Sequence, residues 1–325
     1  MIFTITSRYR CRPIHHFWVL AVHVKYIVYK SYSVIFTRAM STPFPQEIVD
    51  AVIDEVAKLG QATVDASARS QDLMACALVS QSFRHRSQHH LFAHAVLSHP
   101  ADKPYSDSVS EERTHRLYHI LEANPSLRSL IRVLDITLAI GIPPPLPAIL
   151  DFLHGTSCGY RGIHTLKIRI TGLAGTVDDH SGYQEFYHAL ARMLLDCKTS
   201  LRALHLKDFA DFPINVFLCG HSLTELILDS SHISTLHVGP EDTLLQSYTD
   251  NPHLAPRKIF LQTLWVKNSR FNAQRSLQHP RIAFSALRAL SFSLPMNPRG
   301  FKAGDLAQLE AILQSCRRTL TSLFL

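Results

Sequence analysis

The chain has 325 residues, of which 46% are hydrophobic and 18% charged, with a formal net charge of +7 at pH 7. That composition supplies a core and more than one structural unit, and it excludes a disordered or fibrous protein. Six cations (Arg8, Arg10, Arg12, Lys25, Lys30, Arg38) and no acid fall in residues 1–40, which leaves the rest of the chain at only +1. A broad phosphate-binding face is therefore not expected, and no nucleic-acid partner is predicted.

Residues 1–39 read as an extension, either without structure or upstream of the true start at Met40. Their best apolar run, Ile14 to Val24, is broken by His15, His16 and His23 and closed by Lys25. It falls short of the ~20 residues that a membrane span requires, so no membrane partner is predicted. A small-residue cleavage site of the secretory type is also missing. Six cysteines (Cys11, Cys76, Cys158, Cys197, Cys219, Cys316) form no short-spaced pair. Such usage predicts free thiols in a reducing compartment, cytoplasmic or nuclear, with no disulfide framework and no zinc site.

From residue 44 a pattern sets in. FPQEIVDAVIDEV puts Ile48, Val49, Val52, Ile53 and Val56 on one helical stripe, with Pro45 in the first turn and Glu47, Asp50 and Asp54 favouring the early helix. Lys58 to Gln71 is polar, contains Gly60 and reads as a loop. Asp72 is placed to cap a second helix over LMACALVSQSF, and a third runs from Phe83 to about Ala93. Within it, Arg84, His85, Arg86, His89 and His90 read as solvated positions, the arginines being free to meet an acidic partner.

Phe44-Pro45-x-Glu47-Ile48, Ile53, Asp72-Leu73, Leu78-Val79-Ser80, Phe83 and His90-Leu91-Phe92 together resemble an F-box. The run ACALVSQSFRHRSQHHLF in particular is similar to the expanded F-box families of mushroom-forming fungi. The likeness covers roughly residues 43–97 and implies a small helical domain, assigned to residues 40–98, that docks on the Skp-type adaptor of a cullin–RING ubiquitin ligase. Carried over motif by motif, the implied adaptor-binding residues are Pro45, Ile48, Ile53, Leu73, Leu78, Val79 and Phe83. A module this small cannot bury every apolar side chain, which agrees with a partner helix on one face.

Residues 99–125 read as a polar linker followed by a helix over Glu111–Asn124 that stops at Pro125. Beyond, one phrase recurs: IRVLDI, IHTLKI, LRALHL, LTELIL, LQTLWV, LRALSF and LTSLFL, starting at residues 131, 163, 201, 223, 261, 287 and 320. Each is an apolar-x-x-apolar-x-apolar strand, and helical patterns at Tyr183–Asp196 and Asp305–Cys316 separate some of them. The spacings of 22 to 38 residues bracket those of long leucine-rich repeats. Residues 126–325 are accordingly expected to form an irregular solenoid of parallel strands and helices, so that the whole chain is α/β. The other possibility is an unrelated α/β sheet with a shared period-2 pattern. The Asn or Cys that usually follows the last apolar strand position after two intervening residues is replaced by Phe209, Ser231 and Ser269 in three copies. Leu236–Arg257 reads as an irregular loop, and the stop on a strand phrase at Leu325 is expected of a truncated array.

Catalytic motifs are weak. Gly220-His221-Ser222-Leu223 approaches the nucleophile elbow of lipase-like hydrolases, but Thr224 stands where the second glycine is required. No GxxxxGK[ST] loop, GxGxxG after a strand or HExxH occurs, Gly155, Gly159 and Gly162 are wrongly spaced for phosphate, and the paired histidines point apart. Asp178 and Asp179 read as a solvated turn. No cofactor, metal or catalytic residue is predicted. The expected function is that of a substrate-recruiting adaptor, not an enzyme: the front domain holds the Skp-type adaptor and through it a cullin, and the repeats hold a protein substrate. His205, Lys207, Trp265 and Lys267 are the candidate substrate face. The alternatives are an F-box scaffold that works without ubiquitination and, further off, a serine hydrolase built on Ser222.

Overall fold

The computed structural model describes residues 45–62, 66–98, 108–138, 142–154, 162–170, 180–196, 201–209, 212–231, 233–234, 258–268, 277–293 and 303–324. The expectations for residues 1–39, Phe44, Asp178–Asp179, Leu236–Arg257, Ser269 and Leu325 lie outside them, as do Cys11, Cys158 and Cys197.

The front of the chain is helical. Helices α1 (Gln46–Ala62), α2 (Ala66–Val79) and α3 (Gln81–Phe92) pack around Val49, Ile53 and Ala57, at successive i, i+4 positions of α1, and Leu73 of α2. Val56, Phe83 and Leu91 close over this small core. The loop expected at Lys58–Gln71 is mostly helix instead, belonging to α1 up to Ala62 and to α2 from Ala66. Ala62, Ala66 and Ala68, with Lys58, Gln61, Arg69 and Gln71, are strong helix formers that offset the roughly 1 kcal/mol a helical glycine costs at Gly60. Asp72 is consequently an exposed interior residue of α2 and not a cap. The helix break comes at Ser80, whose extended backbone and hydroxyl, accepting the Phe83 N–H at 3.4 Å, start α3.

A strand follows with no linker. β1 (His94–Ser98) comes directly after Ala93, so residues 94–98 join the sheet and the helical unit ends about five residues earlier than the sequence predicts. HAVLS alternates by strand period, sending Ala95 and Leu97 inward and leaving Val96 exposed.

Helix α4 (Ser108–Ala123) and the short α5 (Pro125–Arg128), which carries Pro125 in its first turn, lead to β2 (Val133–Leu138). Then come α6 (Pro145–His154), β3 (Thr165–Ile170), α7 (His180–Asp196) and β4 (Ala203–Lys207). A tighter stretch holds β5 (Phe212–Pro213), α8 (Ile214–Phe217), β6 (Glu225–Asp229), β7 (Ile233–Ser234), β8 (Ile259–Phe260), β9 (Thr263–Lys267) and β10 (Ile282–Ala283). β11 (Ala289–Ser293), α9 (Ala303–Cys316) and β12 (Ser322–Phe324) close the series.

Strands β1, β2, β3, β4, β6, β9, β11 and β12 form one sheet in that order, each neighbouring pair parallel. Strand order therefore follows chain order without reversal, whereas a doubly wound α/β sheet reverses at a switch point. The chain is α/β with a parallel sheet, compatible with a solenoid in which each coil lies on the last.

Register explains the recurring phrase. Leu134, Leu166, Leu204, Leu226, Leu264 and Leu290 stand side by side across the sheet, all fully buried. Ile136, Ile168, Leu206, Leu228, Val266 and Phe292 form a second buried ladder two residues on. Each such side chain contributes about 1.5–3 kcal/mol by leaving water, and it reaches that burial only between its counterparts on the neighbouring coils. The polar second residue of six of the seven phrases has a backbone task. The carbonyls of Arg132, His164, Arg202, Thr224, Gln262 and Arg288 each accept two N–H groups from the start of the next coil, at 2.7–3.1 Å.

The turns after three strands repeat as well. Asp208, Ser230 and Asn268 have φ of 59°, 50° and 51°, and their N–H groups bond the carbonyls of Asp229, Lys267 and Ser293 on the adjacent coil. Residues with short polar side chains tolerate this left-handed backbone best. Ser231, the third residue beyond the last apolar position of its phrase, is fully buried. Its hydroxyl accepts the Phe209 N–H at 2.9 Å and donates to the Asp229 carbonyl at 2.9 Å, so it ties the turn after β4 to the turn after β6.

Behind the sheet, α6 and α7 bury Leu146, Ile149, Leu150 and Leu153 against Phe186, Leu190, Met193 and Leu194. Arg192 on α7 adds a two-pronged pair to Asp151 on α6, at 3.0 and 2.8 Å. The tighter coils have short ladders there instead, β5 with β7 and β8 with β10.

Candidate functional site

Two surfaces stand out, one on the helical unit and one on the sheet. The first follows from arithmetic on α1 and α2. Both helices carry more apolar residues than a four-residue core can cover, and the surplus faces solvent at i, i+4 spacing: Ile48 and Val52 on α1, Met74 and Leu78 on α2. Leu78 is 83% exposed and Val79, at the C-terminal end of the same helix, is also exposed. The structure thus divides the residues the F-box resemblance implied. Pro45, Ile48, Leu78 and Val79 are exposed, whereas Ile53 and Leu73 are fully buried between the helices and Phe83 is half-buried against them. Ile53 and Leu73 hold the bundle together and present no surface to a partner. The stripe lies on α1 as expected, but the sequence alone does not say which of its edges turns inward.

The Arg/His cluster of α3 also differs from expectation. Arg86 grips Asp54 of α1 through Nε and Nη2, at 2.7 Å each, and His90 Nε2 lies 2.7 Å from the same carboxylate. The Arg86 guanidinium first, and the His90 ring second, hold the Asp54 carboxyl well below the usual carboxylate range. Arg86 and His90 are thereby committed within the chain, fastening α3 to α1. Arg84 and His85 remain exposed. A pair separated by 32 residues leaves no periodic mark, so the sequence reading missed it.

The second surface is the polar face of the sheet. His205, Lys207, Trp265 and Lys267 all lie on it, and the structure brings them onto three adjacent strands: His205 stands opposite Ile227, which stands opposite Trp265, and Lys207 is likewise linked through Asp229 to Lys267. His205 Nε2 sits 2.8 Å from Glu225 and Lys207 Nζ 3.7 Å from Asp229. The Trp265 ring is covered by the Lys267 ammonium 4.9 Å from its centre, so it is not an open stacking platform. Lys167 and Arg169 of β3 extend the same face, in register with His205 and Lys207, and were missed although they occupy equivalent places in their phrase.

The Gly220–Leu223 turn has the wrong order for a nucleophile elbow. There a strand precedes the serine and a helix follows it. Here α8 precedes Ser222 and β6 follows. Gly220 answers to packing, since a Cβ there would press into the Leu223 side chain, 2.8 Å from its Cγ. Among the described residues no group of three or more His, Cys, Asp or Glu is placed to hold a metal, and no helix is long and apolar enough to cross a membrane. No protein-family model matches the chain, and no curated protein or solved structure matches it either.

Proposed function

We propose that this protein is a substrate-recruiting adaptor, its helical unit an F-box that docks on the Skp-type subunit of a cullin–RING ubiquitin ligase and its sheet a degenerate leucine-rich-repeat solenoid that holds a protein. The observation that carries the reading is Leu78, a leucine 83% exposed at the end of an otherwise packed helix, with Ile48, Val52, Met74 and Val79 also uncovered. Exposed apolar side chains at i, i+4 spacing on neighbouring helices suit a partner helix better than solvent. The sequence motifs around them, Pro45-x-Glu47-Ile48 and Leu78-Val79-Ser80, give that partner its proposed class. The polar strand face supports the second half, because successive coils carry an extended surface that a protein segment can follow. The chain would then contribute proximity, and the ligase the chemistry.

Co-purification with a Skp-type adaptor tests this. Wild-type protein is expected to retain the adaptor, and Leu78→Asp with Val79→Asp to lose it while the melting temperature stays unchanged. Failure of the wild type to retain the adaptor, or retention by the double variant, would overturn the proposal.

A further inference from the structure

The exposed apolar residues of the helical unit lie beyond the packed part of their own bundle. Among the described residues, Val49 is the first buried residue of α1 and Leu73 the last of α2. Pro45 and Ile48 come before the one, Leu78 and Val79 after the other, and all four are exposed. Core packing therefore does not by itself fix how these two ends of the bundle sit together. Hydrogen bonds run between them instead. The Gln46 side-chain amide, in the first turn of α1, donates to the Asp50 carboxylate at 2.8 Å and to the Ser82 carbonyl at 3.1 Å. That nitrogen carries two hydrogens, so both of its donors are used. Ser82 stands just past the break between α2 and α3, its hydroxyl 2.9 Å from that of Ser80, which also accepts the Phe83 N–H.

We propose that Gln46 is a positioning residue, which ties the first turn of α1 to the α2–α3 break and so holds Pro45 and Ile48 together with Leu78 and Val79 as one docking surface. The proposal rests on the reading of that surface as the docking site. It gives a task to the position that the motif Pro45-x-Glu47-Ile48 leaves unspecified. With one amide hydrogen on Asp50, a turn along the same helix face, the other is left for the carbonyl on α3. A partner helix that packs on α1 and α2 at once needs the two apolar halves at a fixed spacing. A surface ordered in advance also loses less entropy when the partner arrives.

The test uses the full chain and three variants, each followed by titration with a Skp-type adaptor and by amide hydrogen exchange. Gln46→Met keeps the length of the side chain and removes both donors. Gln46→Glu keeps the shape but sets a carboxylate against the Asp50 carboxylate and the Ser82 carbonyl. Gln46→Lys keeps a donor for the same two acceptors. Adaptor affinity is expected to fall roughly fivefold in Gln46→Met and roughly tenfold in Gln46→Glu, and to stay within about twofold in Gln46→Lys. A carboxylate in the first turn favours the helix, so a loss in Gln46→Glu does not come from a weaker α1. The Phe83 and Arg84 amides, which bond Ser80, should exchange faster in the first two variants and not in the third. Those of Ile53 and Leu73 should match wild type in all three. Unchanged affinity in Gln46→Met and Gln46→Glu, unchanged exchange at Phe83 and Arg84, or equal acceleration at Ile53 and Leu73 would each overturn the proposal. If Leu78→Asp with Val79→Asp loses the adaptor and Gln46→Met does not, the docking reading stands and the positioning role falls. If wild type holds no adaptor, the docking reading falls, and exchange at Phe83 and Arg84 alone decides whether Gln46 ties the helices.

Discussion

Ser231→Ala is the substitution that most directly probes how the coils are joined. It removes the acceptor of the Phe209 N–H, a 2.9 Å bond at a position with no solvent exposure. The Asp229 carbonyl is less affected, because the Asp208 N–H still bonds it at 2.8 Å. The loss is thus one buried donor left without a partner, about 1–3 kcal/mol. For a unit of this size that corresponds to a fall in Tm of roughly 2–4 °C for each kcal/mol. Urea unfolding followed by far-UV circular dichroism gives the free energy, and amide exchange over residues 203–231 locates it. Ser231→Asn keeps an acceptor and should recover part of the loss, while Ser293→Ala, exposed at the end of β11, should stay within about 0.5 kcal/mol of wild type. Should Ser231→Ala also stay within that margin, with exchange unchanged on either side, the hydroxyl does not join these coils and the reasoning fails.

Two further outcomes follow from titratable groups. Asp54→Asn should loosen α3 from α1 by about 1 kcal/mol at neutral pH, a modest figure because both partners of the Arg86 pair are about one-third exposed. The folded-state pKa of Asp54 is depressed, so its contribution is present above the unfolded value of about 3.9 and is lost as pH falls below it. The difference in helix exchange rates between wild type and variant should accordingly shrink on acidification, and a constant difference from pH 7 to pH 3 would count against the clamp. Burial pushes the Cys219 thiol up to about 12 and leaves it a neutral group beside the Asn215 carbonyl. Iodoacetamide at pH 8 should label Cys219 only after denaturation, read by peptide mass spectrometry, with the half-buried Cys76 as the native-state comparison. Because that folded pKa is raised, the contribution is full below the unfolded thiol value and declines as pH rises through it. Native labelling of Cys219 as fast as Cys76 would contradict its burial.

Periodicity alone was sufficient for much of the architecture. Apolar-x-x-apolar-x-apolar phrases can bury their leucines only by stacking on copies of themselves, and all seven became strands of one parallel sheet. The same principle located α1 and the helices over Tyr183–Asp196 and Asp305–Cys316, because a 3.6-residue stripe is local information. Tertiary structure decided what depends on partners distant in sequence. It turned Ile53 and Leu73 inward and left Ile48 and Leu78 outside, since burial depends on where the next helix lies. Asp54 with Arg86, and Arg169 with Lys207, are pairs that only packing and register could bring together, the first as a clamp and the second as opposed charges. The strand HAVLS was hidden for a similar reason: five residues after a helix have little pattern of their own, and β1 exists because β2 is there to pair with it.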